Sequence, residues 1–416
     1  MNLIFFLLVL ISFCWAAVNQ LSFTPTADLD SPMQLLGSAM ISGAQDAVSL
    51  AIGLVGVMSL FLGLVKIAEA GGLMKIIAKA LRPLLIRLFP DVPPDHPAMG
   101  SMIMNLSANA LGLANAATPF GIKAMQDLDK LNSEKGTATN AMILFLAINT
   151  SSVTLLPTGV IALRAAAGSL DPAAILPTTL FASTLSTAVA IVSAKLLSPM
   201  FRGPKPLSSL NFESANQDSY PLWISALSLL TLFSLIPIAI VYGSAFSPWI
   251  LPSLMLFFLL FGVIKGVSVY ETFIEGAKDG FNVALKIIPY LVAILTSVSM
   301  LRASGALEAF VSFIGQWTGA WGLPAEALPM ALLRPLSGSG AYGILAATIN
   351  DPSIGPDSYV GLLVSTIQGS TETTFYVLAV YFGAVQIKRI RHAIPCALAA
   401  DTAGVIGAVL AVNYLF

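Results

Sequence analysis

The chain is 416 residues long, 56% hydrophobic and only 10% charged, with a formal net charge of −1. Soluble domains carry about 25% charged residues, so a soluble fold is excluded. The near-neutral charge also argues against a nucleic-acid partner, which needs clustered Lys and Arg.

Stretches apolar enough to span a bilayer, about 20 residues each, fall at 2–18, 47–69, 138–168, 172–198, 220–245, 247–265, 285–303, 357–384 and 393–415. Shorter or Gly/Pro-interrupted pieces at 73–89, 97–120, 305–322 and 325–347 read as amphipathic or broken helices that enter the membrane without crossing it. The first stretch, Met1 to Val18, lacks a basic leading region. The small residues of Cys14-Trp15-Ala16-Ala17 leave a cleaved signal open, and an uncleaved anchor is the preferred reading. Residues 20–46 hold Asp28, Asp30 and Asp46 and no basic residue, whereas 66–90 hold Lys66, Lys75, Lys79, Arg82 and Arg87. The positive-inside rule puts the first connection outside and the second in the cytoplasm, with Lys388, Arg389 and Arg391 marking another cytoplasmic edge.

A Pro/Ser-rich polar linker at 201–218 divides the chain into halves 1–200 and 219–416, and the halves read as copies. Ser151-Ser152-Val153-Thr154 aligns with Ser370-Thr371-Glu372-Thr373. Leu176-Pro177 and Ser183-Thr184 align with Ile394-Pro395 and Asp401-Thr402, Gly71-Gly72-Leu73 with Gly305-Ala306-Leu307, and Pro97 with Pro329. Residues 97–125 are expected to lie over 329–350, and 138–160 over 357–380. Whether the copies are parallel or inverted depends on an ambiguous count of crossings.

The polar residues inside these apolar segments are the candidate binding groups, because hydrocarbon has no water to satisfy them. Asn105 and Asn109, at i and i+4, project from one helix face. Asn115 and Thr118 precede Pro119, where a helix break with free carbonyls is expected. Asn149, Ser151, Ser152 and Thr154 interrupt one span; Gln368, Ser370, Thr371, Glu372 and Thr373 interrupt its counterpart. Ser337, Ser339 and Tyr342 follow Arg334 in a Gly-rich broken helix. Arg334 itself costs about 2.5–3.5 kcal/mol on insertion scales, so it needs an anionic partner or a cavity mouth. Interhelical packing is the competing explanation for the Asn and Gly residues. Arg334, Glu372 and Asp401 are the coupling or ion-pair candidates; Asp401 would pair with Arg334, bind a coupling cation, or carry a proton.

Enzymatic signatures are missing. The histidines are His96, beside prolines, and His392, in a basic run, and no P-loop, H-E-x-x-H or G-x-S-x-G motif is present. Cys14 and Cys396 form no ligand-spaced set. No catalytic residue, cofactor or metal is expected.

The run Met104-Asn105-Leu106-Ser107-Ala108-Asn109-Ala110-Leu111-Gly112-Leu113-Ala114-Asn115-Ala116-Ala117-Thr118-Pro119-Phe120-Gly121 resembles the spore maturation protein A family. Arg334-Pro335-Leu336-Ser337-Gly338-Ser339-Gly340 and Gln368-Gly369-Ser370-Thr371-Glu372-Thr373-Thr374-Phe375-Tyr376 resemble the spore maturation protein B family. The two would be fused here. Their group, the nucleoside-recognition or Gate group, is similar to parts of concentrative nucleoside transporters and of a ferrous-iron permease domain. The resemblance implies a bacterial cytoplasmic (inner) membrane protein, of a kind associated with spore-core dehydration in spore formers. It does not fix a nucleoside substrate.

The resulting expectation is an all-α polytopic membrane protein of two repeated halves with broken or re-entrant helices. It would move or bind a small polar solute at a midplane site, with membrane lipids around it and a coupling cation or proton as a further partner. A homo-oligomer is left open. Cation permeation through Glu372 and Asp401, and a non-transporting scaffold for envelope or spore maturation, are the alternatives.

Overall fold

The computed structural model describes residues 2–24, 30–112, 114–201, 203–204, 221, 223, 227, 249 and 251–416, apart from 308, 311–312 and 314–317. Most of the expected linker at 201–218, and nearly all of the expected span at 220–245, lie outside the described residues. The chain is an all-α polytopic membrane protein. Its helices are α1 (Asn2–Leu21), α2 (Pro32–Ala70), α3 (Leu73–Leu88), α4 (Pro97–Ala110), α5 (Ala114–Lys130), α6 (Asn140–Ser151), α7 (Thr158–Ala166) and α8 (Leu176–Leu197). These are followed by α9 (Leu251–Ile264), α10 (Val269–Ala303), α11 (Leu328–Leu333), α12 (Gly338–Ile349), α13 (Tyr359–Ser370), α14 (Thr374–Gly383) and α15 (Ala393–Leu415).

One order of elements occurs twice. A long helix (α2 or α10) runs into a left-handed glycine, Gly72 at φ 82° or Gly305 at φ 81°. A helical hairpin follows (α4–α5 or α11–α12), then a span broken into two half-helices (α6–α7 or α13–α14), then an unbroken one (α8 or α15). The stretches 138–168 and 357–384, expected as interrupted spans, are each split outright. Pro157 bars helical geometry at Leu156, and the β-branched Val153 and Thr154 add to the break. Thr371 and Thr373 take extended backbone in the second break.

The copies are inverted. Helices α2 and α10 pack antiparallel: Gly43 lies against Ser299, Gly63 against Phe273 and Gly280 against Met58. Helices α8 and α15 do the same. Ser186 donates to the Ala400 carbonyl at 2.7 Å, and Gly407 packs on Ala182. An element that runs antiparallel to its own counterpart requires a repeat of inverted topology, the common carrier arrangement. A second sequence signal agrees. Ile41-Ser42-Gly43-Ala44-Gln45-Asp46 in α2 matches Ile274-Glu275-Gly276-Ala277-Lys278-Asp279 in α10. The two buried glycines take equivalent roles, Gly43 closing on Ser299 and Gly276 on Lys66 at the opposite end of the pair.

Two polar clasps tie the broken spans together at their far ends. At one, Arg164 of α7 is fully buried and donates to the Pro356, Asp171 and Pro172 carbonyls, to Ser169 and to the Asp357 carboxylate at 2.8 Å. At the other, Arg391 donates to the Ala138 carbonyl and to Asn140 Oδ1, both at 2.9 Å. The Lys388 and Arg389 amides bond the Gly136 carbonyl beside it.

Both histidines sit just before helix N-termini. His96 caps α4 by accepting the Ala98 amide at 3.1 Å, and His392 precedes α15. Burial lowers both from the usual 6.5, and nearby Arg391 lowers His392 further. Below pH 6.5 the unfolded chain takes up protons that the buried rings resist, so stability falls as pH drops; above it the effect disappears. Thermal unfolding of the detergent-solubilised protein should show this acid loss. A His96→Asn/His392→Asn variant, with Asn as a good cap, should flatten it.

Candidate functional site

The tip of each hairpin rests on the break of its own half. In the first half the turn is at Leu111-Gly112, with Gly112 at φ 73°. The Ala110 carbonyl accepts the Leu155 amide at 3.0 Å. The break expected at Pro119 lies instead at this glycine turn, and Pro119 sits inside α5. In the second half the Pro335 carbonyl accepts the Phe375 amide at 3.1 Å. The two breaks also join: the Glu372 amide donates to the Thr150 carbonyl at 2.8 Å, at the C-terminal end of α6. Hairpin tips and half-helix ends, with their unsatisfied backbone groups, therefore meet in one region.

Two side-chain networks occupy it. On the first-half side, Asn105 is fully buried and donates to the Ala117 carbonyl at 2.8 Å and to the Tyr381 hydroxyl at 3.0 Å. Tyr381 in turn donates toward Asn149 Oδ1 at 3.3 Å, which also accepts from Asn109 at 2.9 Å. Asn149 closes the network on its own helix through the Phe145 carbonyl. Tyr381 was not among the residues expected from sequence. Its signal was a second tyrosine in the otherwise apolar Thr374–Gly383 helix, where a buried hydroxyl needs a partner.

On the second-half side, Arg334 is 5% exposed at the tip of the α11–α12 hairpin. It donates to Thr373 Oγ1 at 2.9 Å and to the Thr371 carbonyl, and lies 3.6 Å from the Glu372 carboxylate. The anionic partner of Arg334 is thus Glu372, and pairing with Asp401, one of the three roles open to that acid, does not form. Asp401 instead accepts from Thr374.

The remaining candidates divide by what their groups touch. Ser151 and Ser370 donate to the Ile148 and Ile367 carbonyls of their own helices. Their hydroxyls keep acceptor lone pairs only. Thr154 donates to the Ser152 carbonyl, and its amide reaches Ser183 Oγ at 3.5 Å. Ser337 caps α12 by accepting the Gly340 amide at 3.0 Å. Tyr342 crosses to the other half and lies against Gly159. Gln368 is buried, Ser339 and Thr118 are half-buried, and the side chain of Asn115 lies outside the described residues. Asn105 Oδ1, Gln368 Oε1 and Arg334 Nε are among the buried polar atoms of this region that have no hydrogen-bond partner. Such atoms are rare in native interiors and call for an explanation.

The sequence matches the family model for nucleoside recognition, Gate, over residues 51–167 and 284–388, one region in each half. It is 43% identical over 183 residues to spore maturation protein A of Bacillus subtilis (strain 168), covering 44% of this chain and 93% of that protein. It is 45% identical over 166 residues to spore maturation protein B of the same organism, covering 40% of this chain and 92% of that protein. Among solved structures it is similar to CNTnw in an inward-facing substrate-bound state, at 13% identity and a TM-score of 0.42, over 100% of this chain and 98% of that one. The chain belongs to the nucleoside-recognition (Gate) family.

Proposed function

We propose that this protein moves or binds a small polar solute at the meeting point of the two hairpin tips and the two helix breaks, in a bacterial cytoplasmic membrane. The observation that carries the reading is the convergence of Arg334, Glu372 and the Asn105–Tyr381–Asn149–Asn109 network on half-helix ends. Irregular backbone at membrane depth is tolerated where it is buried in protein or lines a cavity. Nucleosides, named in the family's description, are one solute class whose hydroxyls and base edges fit amide, hydroxyl and carboxylate partners. The names of the two relatives favour a second reading, a membrane scaffold for spore or envelope maturation.

Glu372→Gln separates the readings, because it keeps size and hydrogen bonding and removes the charge facing Arg334. With a solute site, function should fall at least tenfold, a loss of about 1.4 kcal/mol, at unchanged membrane abundance. A scaffold expects wild-type behaviour. The readout is an untargeted metabolite comparison of cells carrying no protein, wild type and variant. A variant indistinguishable from wild type would leave the solute site without support.

The division into 1–200, a linker at 201–218 and 219–416 belongs to the same proposal. Because α2 packs on α10, α8 on α15, and both clasps cross between halves, the linker is not needed to hold them together. A protease site inserted at 205–218 and cut in the purified full chain should leave both fragments co-migrating in detergent. Separation of the fragments would contradict it.

A further inference from the structure

One buried acid takes no part in the solute site. Asp401, in the first half of α15, is 5% exposed. Its Oδ2 accepts the Thr374 hydroxyl at 2.7 Å, and its Oδ1 has no hydrogen-bond partner. The ionisable groups on the elements packed around it are few. Arg334 is held by Thr371, Thr373 and Glu372. Helix α14 brings Tyr376 and Tyr381, while α8 brings only Lys195 in its last turn. Helix α6 has no ionisable side chain, and α13 has only Tyr359 at its far end. Along α15 itself, Cys396 lies toward the start of the helix, His392 just before it, and Tyr414 at the far end. Among the described residues, none forms an ion pair with Asp401.

An ionised carboxylate so placed would be a buried charge without an ion-pair partner, which interiors avoid by neutralising the group. A metal ion is a poor alternative. Hard cations of the calcium or magnesium kind take about six or more oxygen ligands. Here one carboxyl and one hydroxyl are in place, and no group of three His, Cys, Asp or Glu among the described residues could hold a metal. A proton suits the geometry. As a neutral acid, Asp401 donates its Oδ2–H to Thr374 Oγ1, reversing the observed bond, and Oδ1 remains a carbonyl oxygen that is far cheaper to bury.

The location gives this proton a consequence. Thr374 is the first residue of α14, where the helix restarts after the 371–373 break. One turn along α15 from Asp401, a Cβ on Gly404 would lie 2.5 Å from Thr371, so the helix is pressed against the break itself. We propose that Asp401 is a proton-binding site that senses the 371–373 break, neutral while Thr374 lies against it and ionised when the break moves away. Proton uptake is thereby linked to the segment that holds Arg334.

Infrared difference spectra of the full-length protein in lipid vesicles, recorded as a pH titration, test this with the proton alone as probe. Wild type should show a protonated-carboxyl C=O band at neutral pH that is lost in Asp401→Asn. Thr374→Val should keep the band but move it to higher frequency, since the hydrogen bond is gone. Asp401→Asn should keep wild-type thermal unfolding, because it mimics the neutral acid. Identical spectra for wild type and Asp401→Asn would overturn the proposal. If Asp401→Asn does not assemble, a band unmoved by Thr374→Val overturns it instead. No solute enters these measurements, so their failure would leave the polar-solute reading standing, and failure of that reading would leave this one.

Discussion

Replacing Asp357 by Leu is expected to destabilise the folded protein by about 3 kcal/mol, the low end of what breaking a buried ion pair costs. Asp357 is itself 38% exposed, but its partner Arg164 is fully buried and would keep its charge without a counter-ion. The carbonyls of Pro356, Asp171 and Pro172 still receive the guanidinium, which is why the low end applies. Asp357 also accepts from the Ser169 hydroxyl and the Leu170 amide, so the loop after α7 loosens as well. At the opposite clasp Arg391 bonds the Ala138 and Phe201 carbonyls and the Asn140 amide oxygen, with no acid among them. Arg391→Met loses about one kcal/mol for each of the two part-buried bonds and little for the exposed bond to the Phe201 carbonyl, so it should cost less, about 2 kcal/mol. Thermal unfolding of the two variants side by side checks the order. An Asp357→Leu protein as stable as wild type would show that the Arg164 clasp contributes nothing to holding the broken spans together.

Much of the architecture was legible because apolar length and punctuation are strong signals in a membrane chain. The paired polar interruptions located both breaks, and the apolar stretches ending at 69 and 303 located the ends of α2 and α10, just before the aligned Gly72 and Gly305. Direction was not legible from counting crossings. It comes from packing, where small residues let counterpart helices meet; the Gly43 and Gly276 repeat marks the two helices as equivalent, and only their contacts show that they run antiparallel. Pro119 misled for a physical reason. It sits in the second turn of α5, which carries it at the loss of one i→i−4 hydrogen bond, and the turn falls instead at Gly112, the residue that accepts positive φ.

The site was legible by residue type and less so by pairing. Arg334 was expected to need an acid, and the nearer acid in space is Glu372, on the break its own hairpin covers. Asp401 was a competing choice because spacing along a sequence does not tell which face of α15 meets the hairpin. Tyr381 lies in an apolar run, and nothing local ties it to Asn105 and Asn149, far away in the other half. Inter-half contacts of this kind are the part a single sequence conveys least.

Gly112 offers the sharpest test of the hairpin tip, because it combines backbone conformation with a close contact. Its φ is 73°, and a Cβ there would lie 2.5 Å from the Leu156 carbonyl oxygen, a backbone atom of the facing break. Gly168 has nearly the same backbone, φ 78°, with nothing within 4 Å of the added carbon. Asparagine tolerates this conformation better than other side chains, so Gly168→Asn should lose only the backbone strain, about 1 kcal/mol or less, and remain fully functional. Gly112→Asn meets the same backbone preference and must also push the tip away from the break, breaking the Leu155 bond to Ala110. A loss of about 1–3 kcal/mol, the scale of overpacking a close contact, is expected, together with loss of solute handling in the metabolite comparison. The difference between the two variants isolates the contact from the backbone strain. Equal unfolding temperatures and equal function for Gly112→Asn and Gly168→Asn would mean that the first hairpin tip does not bear on the break, and the convergence on which the solute site rests would lose its first-half arm.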